Sequence, residues 1–234
     1  MQATAHSTKA LAPDGRWVSF ACRARSVQDD WYWHFRLTSR SMGVGVSVTD
    51  RGYPSVLIEQ LGNRLVQQLT YDNQPLQLLA NADGDGWQGI WTGPHHCLIM
   101  AFPGGRVDAG AVTGVLDQLV LTDTAAGLVV KPRSSEVSSW SLYGVKFTSG
   151  GSVTIYPAAD AARLVPEGSA GKSVENGEVW VKTMGIAGVE RGRKFLHSGP
   201  KAVCLVDDEL TSDTGVGAAD QEELLQSLDV RWGA

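Results

Sequence analysis

The sequence predicts a β-rich α+β fold built from two similar copies of an antiparallel sheet, each with one short C-terminal helix. Three observations predict it. The 234-residue chain holds 27 glycines against 9 prolines, which suits many tight turns and short strands. Most of the chain runs in short alternating segments rich in Trp, Tyr, Phe, Val and Thr, the pattern of half-buried strands. Blocks of the front half recur in order in the back half.

Residues 1–15 (MQATAHSTKALAPDG) contain no apolar block and read as a flexible polar arm without a signal peptide. WVSFACRAR (17–25), WYWHFRLTS (31–39), MGVGVSVTD (42–50) and YPSVLIEQL (53–61) follow as strands bounded by turn residues. RLVQQLTY (64–71) and LQLLANA (76–82) are joined by the turn Asp72-Asn73-Gln74-Pro75. WQGIW (87–91) and the apolar run CLIMAF (97–102) come next. AGAVTGVLDQL (109–119) breaks the alternation: Val112, Val115, Leu116 and Leu119 recur at three- and four-residue spacing, an amphipathic helix. VLTD resumes as strand.

The back half repeats this order. WSLYGVKFTS (140–149), GSVTIYP (151–157), VWVKTMGI (179–186), GRKFLHS (192–198) and KAVCLVDD (201–208) read as strands. ADQEELLQSL (219–228) reads as a helix with Leu224, Leu225 and Leu228 on one face and acids in its first turn. DVRW closes the chain.

The internal match is residue by residue. GIWTGPHHCLIMAF (89–102) lies over FLHSGPKAVCLVDD (195–208), sharing a Gly-Pro turn at an offset of 199 − 93 = 106. GVLDQLVL (114–121) lies over ELLQSLDV (223–230), with Leu116 over Leu225 at an offset of 225 − 116 = 109. FRLTS (35–39) lies over VKFTS (145–149) at an offset of 149 − 39 = 110. The expected modules are therefore 16–125 and 126–234, with the boundary near the TDTAAG turn.

Charge narrows the functional classes. A formal net charge of −5 argues against nucleic-acid binding, which needs a basic face. No apolar run approaches eighteen residues, so no membrane-spanning helix is expected. Three scattered cysteines, Cys22, Cys97 and Cys204, fit neither a disulfide framework nor a zinc site, and point to buried thiols in a reducing, cytoplasmic setting. Residues 207–234 carry eight acids against Arg231, a balance of −7, so the remaining chain carries −5 − (−7) = +2. Just upstream, Arg191, Arg193, Lys194 and Lys201 are candidate partner-docking charges.

No phosphate-binding glycine loop, zinc-protease helix or nucleophile elbow is present. In Asp29-Asp30-Trp31-Tyr32-Trp33-His34, alternation puts Trp31 and Trp33 on one face and Tyr32 and His34 on the other. Those rings, with Trp87 and Trp91, are candidates for holding a ligand or a partner. His95 and His96, after the Gly-Pro turn, are further candidates for holding a ligand or a partner, but neighbours on a strand point to opposite faces, so no metal site is expected there. Asp83-Gly84-Asp85-Gly86 lacks the further ligands of a calcium loop and reads as a tight turn.

The expected function is thus a non-enzymatic protein-binding or assembly protein without cofactor or metal. It would dock protein partners through sheet edges and aromatic strands, in an oligomer or a heteromeric complex. The alternative is a small-molecule-binding protein or enzyme whose pocket is lined by Trp31, Trp33, His34, Trp87 and His95.

Overall fold

A computed structural model describes residues 4–39, 43–104, 106–186, 189–207 and 218–233, with the side chains of 182–193 and 218 outside the description. In chain order the elements begin with β1 (Thr4–Leu11), β2 (Trp17–Ala24), β3 (Tyr32–Thr38), β4 (Gly43–Asp50), α1 (Tyr53–Glu59) and β5 (Arg64–Tyr71). Next come β6 (Gln74–Ala80), β7 (Gly86–Thr92), β8 (His96–Pro103), α2 (Ala109–Leu116), β9 (Leu119–Thr124) and β10 (Gly127–Pro132). Then follow β11 (Ser138–Thr148), β12 (Gly151–Pro157), α3 (Ala158–Ala161) with a 3-10 turn (Ala162–Leu164), and β13 (Lys172–Val174). The last are β14 (Gly177–Ile186), β15 (Val189–Ser198), β16 (Ala202–Asp207), α4 (Ala218–Ser227) and β17 (Asp229–Trp232). The chain is β-rich, and every strand pair with a described register is antiparallel.

Two sequence expectations are corrected. YPSVLIEQL reads as a strand, yet Tyr53–Glu59 is α1. Its β-forming composition is overridden by tertiary packing. Pro54 suits the first helical turn, and Leu57, Tyr53 and Ile58 cover Leu79, Ile90, Cys97 and Ile99 on the sheet. Thr4–Leu11, read as part of an arm, is a strand because it adds to the edge of β2. His6, Thr8 and Ala10 turn inward at period two, a pattern too polar to stand out.

The chain divides into two compact units. Unit 1 comprises 1–10, 16–31 and 143–234; unit 2 comprises 11–15 and 32–142. In unit 2 the strand order is β3-β4-β8-β7-β6-β5, and in unit 1 it is β13-β14-β15-β16-β12-β11. Read from the other end, unit 1 runs β11-β12-β16-β15-β14-β13, which is unit 2's order with eight added to every label. Helices fall at matching places: α1 after β4 and α3 after β12, α2 after β8 and α4 after β16. The sheets are not the two separate ones the sequence predicts: both sets of strands belong to one twelve-stranded sheet.

The cores follow the pleat. In unit 2 one row crosses the sheet as Trp33, Val48, Leu98, Trp91 and Leu76, paired strand to strand. That face is covered by α2, whose Val112, Val115 and Leu116 are buried. Gly89 lies on it, and a Cβ there would come within 2.5 Å of Val112, so the helix seats directly on β7. In unit 1 the corresponding face holds Lys146, Val153, Val206, Phe195 and Val181 in one row. On the opposite face Leu196 and Val203 are buried against Ala161 of α3.

The two Gly-Pro turns share a local hydrogen bond. Gly93 N–H donates to the His96 carbonyl at 2.8 Å, and Gly199 N–H to the Ala202 carbonyl at 3.0 Å. Val115, Leu116 and Leu119 are buried at the end of one helix, as are Leu224, Leu225 and Leu228 at the end of the other. The FRLTS–VKFTS match does not hold in register. Trp33, Phe35 and Leu37 are the inward residues of β3, whereas Leu142, Gly144 and Lys146 are those of β11. That is an offset of 142 − 33 = 109 instead of 110, and a slip of one residue turns every side chain to the other face.

Candidate functional site

Trp33, Trp87 and Trp91 are buried in the core of unit 2. Trp87 stacks on Phe102 with ring centroids 4.3 Å apart, and the indole nitrogen of Trp91 is buried without a hydrogen-bond partner. His34 lies on the opposite face of β3, its Nδ1 2.8 Å from the Ser47 hydroxyl. Burial pulls its imidazole below the usual histidine range. Tyr32 on that side packs edge-on against Tyr53 of α1. Trp33 and His34 face opposite sides of β3 and cannot line one cavity, and Trp31, expected to share a strand face with Trp33, precedes the strand. Trp31 belongs to unit 1, where it packs edge-on against Phe20.

His95 and His96 are brought together with a residue the sequence reading did not connect to them. Asp123, on β9, accepts from the His95 N–H at 2.8 Å and the His96 N–H at 3.2 Å through one oxygen. Its other oxygen is 2.7 Å from His96 Nδ1. The carboxylate is nearly fully buried, so the arrangement clamps the Gly-Pro turn onto the hairpin. Cys97 next to it turns away, donating its thiol hydrogen to the Asp50 carbonyl at 3.3 Å. Burial pushes the thiols of Cys22 and Cys97 up to about 12 and raises that of Cys204 further, so none is a thiolate nucleophile near neutrality. Among the described residues no three His, Cys, Asp or Glu side chains converge as metal ligands.

Of the candidate docking charges, Lys194 pairs with Asp207 at 2.5 Å across neighbouring strands, and Lys201 is exposed in the second Gly-Pro turn. The side chains of Arg191 and Arg193 lie outside the described residues.

Two features escaped the sequence. Lys146 is fully buried. Its ammonium donates to three backbone carbonyls, those of Gln28, of Asp29 at 2.9 Å and of Asp30 at 3.1 Å, and sits 5.0 Å above the Trp31 ring. Desolvation pulls it down to about 8, opposed by the charges of Asp29 and Asp30. All three of its N–H donors are used, which makes it an anchor for residues 28–31 and leaves it unsuited to nucleophilic attack. Its place in an alternating strand gave no signal beyond a cation on the inward parity.

The second feature is the end of unit 2's sheet. β5 is its terminal strand, and no strand pairs with its outer edge among the described residues. It is eight residues long, and Leu65 and Val66 are each 42% exposed. From Leu65 to Tyr71 it carries neither a charge nor a proline. Only a register shift between Leu65 and Gln67 interrupts it. Asp72 and Asn73, both at positive φ, close the hairpin to β6. The far strand of unit 1, β13, is by contrast three residues long and begins with Lys172.

No protein-family model, no curated protein and no solved structure matches the chain. No helix among the described residues is long and apolar enough to cross a membrane.

Proposed function

We propose that this chain is a non-enzymatic protein-binding protein whose docking element is the free edge of β5. The observation that carries the reading is the length and chemistry of that edge. Sheet edges are normally blunted by charge, proline, brevity, a β-bulge or a covering element; of these, β5 after Arg64 has the irregularity between Leu65 and Gln67. β5 keeps seven consecutive residues without charge or proline, and two exposed aliphatic side chains. An extended segment of a partner would add as a further strand, its backbone bonding β5 and its side chains meeting Leu65 and Val66.

The frame behind it reads as a tandem duplication with modules 16–125 and 126–234. The matching strand orders, helix positions and Gly-Pro turns support this. Each module lends its opening strand to the other's compact unit. β2, from the first module, pairs with β17 in unit 1, and β10, from the second, pairs with β9 in unit 2. The break between the modules therefore falls in the turn between β9 and β10, away from the border of the compact units at 142/143. The aromatic pocket of the alternative reading has less behind it, since Trp33 and His34 face opposite sides of β3.

The test is affinity capture by the full chain beside a Val66→Lys, Gln68→Lys variant, with captured proteins identified by mass spectrometry. Both positions are exposed, so the fold is kept. Partners retained by the native chain and lost by the variant are the expected result. Native retention no greater than a bare-resin control, or retention that survives both lysines, overturns the reading.

A further inference from the structure

Unit 1 contains a cavity of about 340 Å³, within the range of small-molecule sites. It is lined by Val174, Val179, Val181 and Phe195 of the strands and by Gln221, Glu222, Leu225 and Gln226 of α4, together with Lys172. Its origin is visible by comparing units. The alignment that superposes the Gly-Pro turns puts Phe195 over Gly89. In unit 2, Gly89 lets Val112 of α2 rest on the sheet. In unit 1 the position aligned with Gly89 carries the phenyl ring of Phe195, and the helix position aligned with Val112, at the offset of 109 that relates the helices, is Gln221; both side chains line the cavity. The side chains that close the first unit are exchanged for ones that hold a space open. Val181, facing that space, is left 63% exposed.

Among the described residues, the charged groups next to the cavity stand in opposite-charge pairs. Lys172 and Glu222 face each other at 3.8 Å and neutralise one another. Glu175 and Glu223 are both taken by Arg23 at 2.5 Å, and Asp220 by Arg25 at 2.9 Å. Among the described residues, the uncharged polar side chains lining the cavity are the amides of Gln221 and Gln226, each able to donate and to accept. We propose that this cavity is a small-molecule site for a neutral, mainly apolar molecule carrying one amide or hydroxyl group. The apolar body lies on Val179, Val181, Phe195 and Leu225, and the polar end meets the glutamine amides. This site lies in the other unit from the β5 edge and stands or falls independently of it.

The experiment is calorimetric titration of the full chain with octanamide, beside octanoate and octylammonium as charged molecules of the same length. Saturable octanamide binding, at least tenfold tighter than either charged molecule, is expected. Val181→Trp, which fills the cavity from an exposed position, weakens it at least tenfold. The Gln221→Leu, Gln226→Leu variant, which keeps the cavity and removes the amides, weakens it at least fivefold. No saturable octanamide binding, equal or tighter binding of a charged molecule, or binding unchanged in both variants overturns the proposal.

Discussion

The Lys146 ammonium donates to the backbone carbonyl of Asp29 at 2.9 Å from a fully buried position. Lys146 stands on β11, and Asp29 belongs to the segment that leads out of β2. One side chain thus joins parts of the chain 117 residues apart. Its carbonyl partners also include Gln28 and Asp30. Replacing it with methionine keeps the length and leaves three acceptors without their donor. We expect Lys146→Met to lower unfolding free energy by about 3 kcal/mol, with a Tm drop on the order of 10 °C, measured by calorimetry. A change within experimental error would show that the carbonyls are satisfied without the ammonium.

His197 is buried, with neither ring nitrogen hydrogen-bonded, and desolvation pulls it from 6.5 to about 4. The folded chain therefore keeps this imidazole neutral, while the unfolded chain protonates it as pH falls through 6.5. Stability from this group is present above pH 6.5 and is lost as pH falls from 6.5 toward 4. The loss is about 3 kcal/mol at most, from roughly 2.5 pH units at 1.36 kcal/mol each. Urea unfolding at pH 7 and pH 4.5 measures it. A His197→Leu variant should lose visibly less stability than the native chain over that interval.

Asp123 holds the first Gly-Pro turn by three hydrogen bonds, to the His95 and His96 amides and the His96 ring. Asp123→Ala leaves the two amides without their acceptor and should cost about 2 kcal/mol. Hydrogen exchange at residues 95 and 96 should accelerate more than at the Gly199 turn, where no carboxylate hydrogen bond is found among the described residues. Equal acceleration at both turns would point to global loosening instead.

All three thiols are buried and unpaired. The native chain should leave Cys22, Cys97 and Cys204 unmodified by a disulfide reagent at pH 8, and release three equivalents on unfolding. A fast-reacting equivalent in the folded protein would contradict the described burial.

Much of the strand ladder was readable from alternation alone, because a two-residue period survives whatever covers the sheet. The α2 and α4 helices were readable from Val112, Val115, Leu116 and Leu119, and from Leu224, Leu225 and Leu228. α1 was not, since Tyr53, Val56 and Ile58 are strand formers locally and the helical state depends on the cluster around Leu79 and Ile99. The β5 edge was seen as a strand, but its end position depends on pairing order, which no local pattern reports. The cavity rests on Phe195 standing where Gly89 stands, a contrast present in the aligned blocks whose meaning needs the helix above it. The Asp123 clamp joins residues 27 and 28 positions apart, and nothing at either end announces the other.

That β2 pairs within unit 1 and β10 within unit 2 has a consequence for how the polypeptide can be divided. Scission after residue 125 would leave a front fragment owning most of unit 2 without β10, and a back fragment owning most of unit 1 without β2. Neither piece would be a self-sufficient folding body, and each would carry the missing part of the other. Co-expressed, the two fragments should reassemble as complementing halves, and each alone should accumulate as insoluble material.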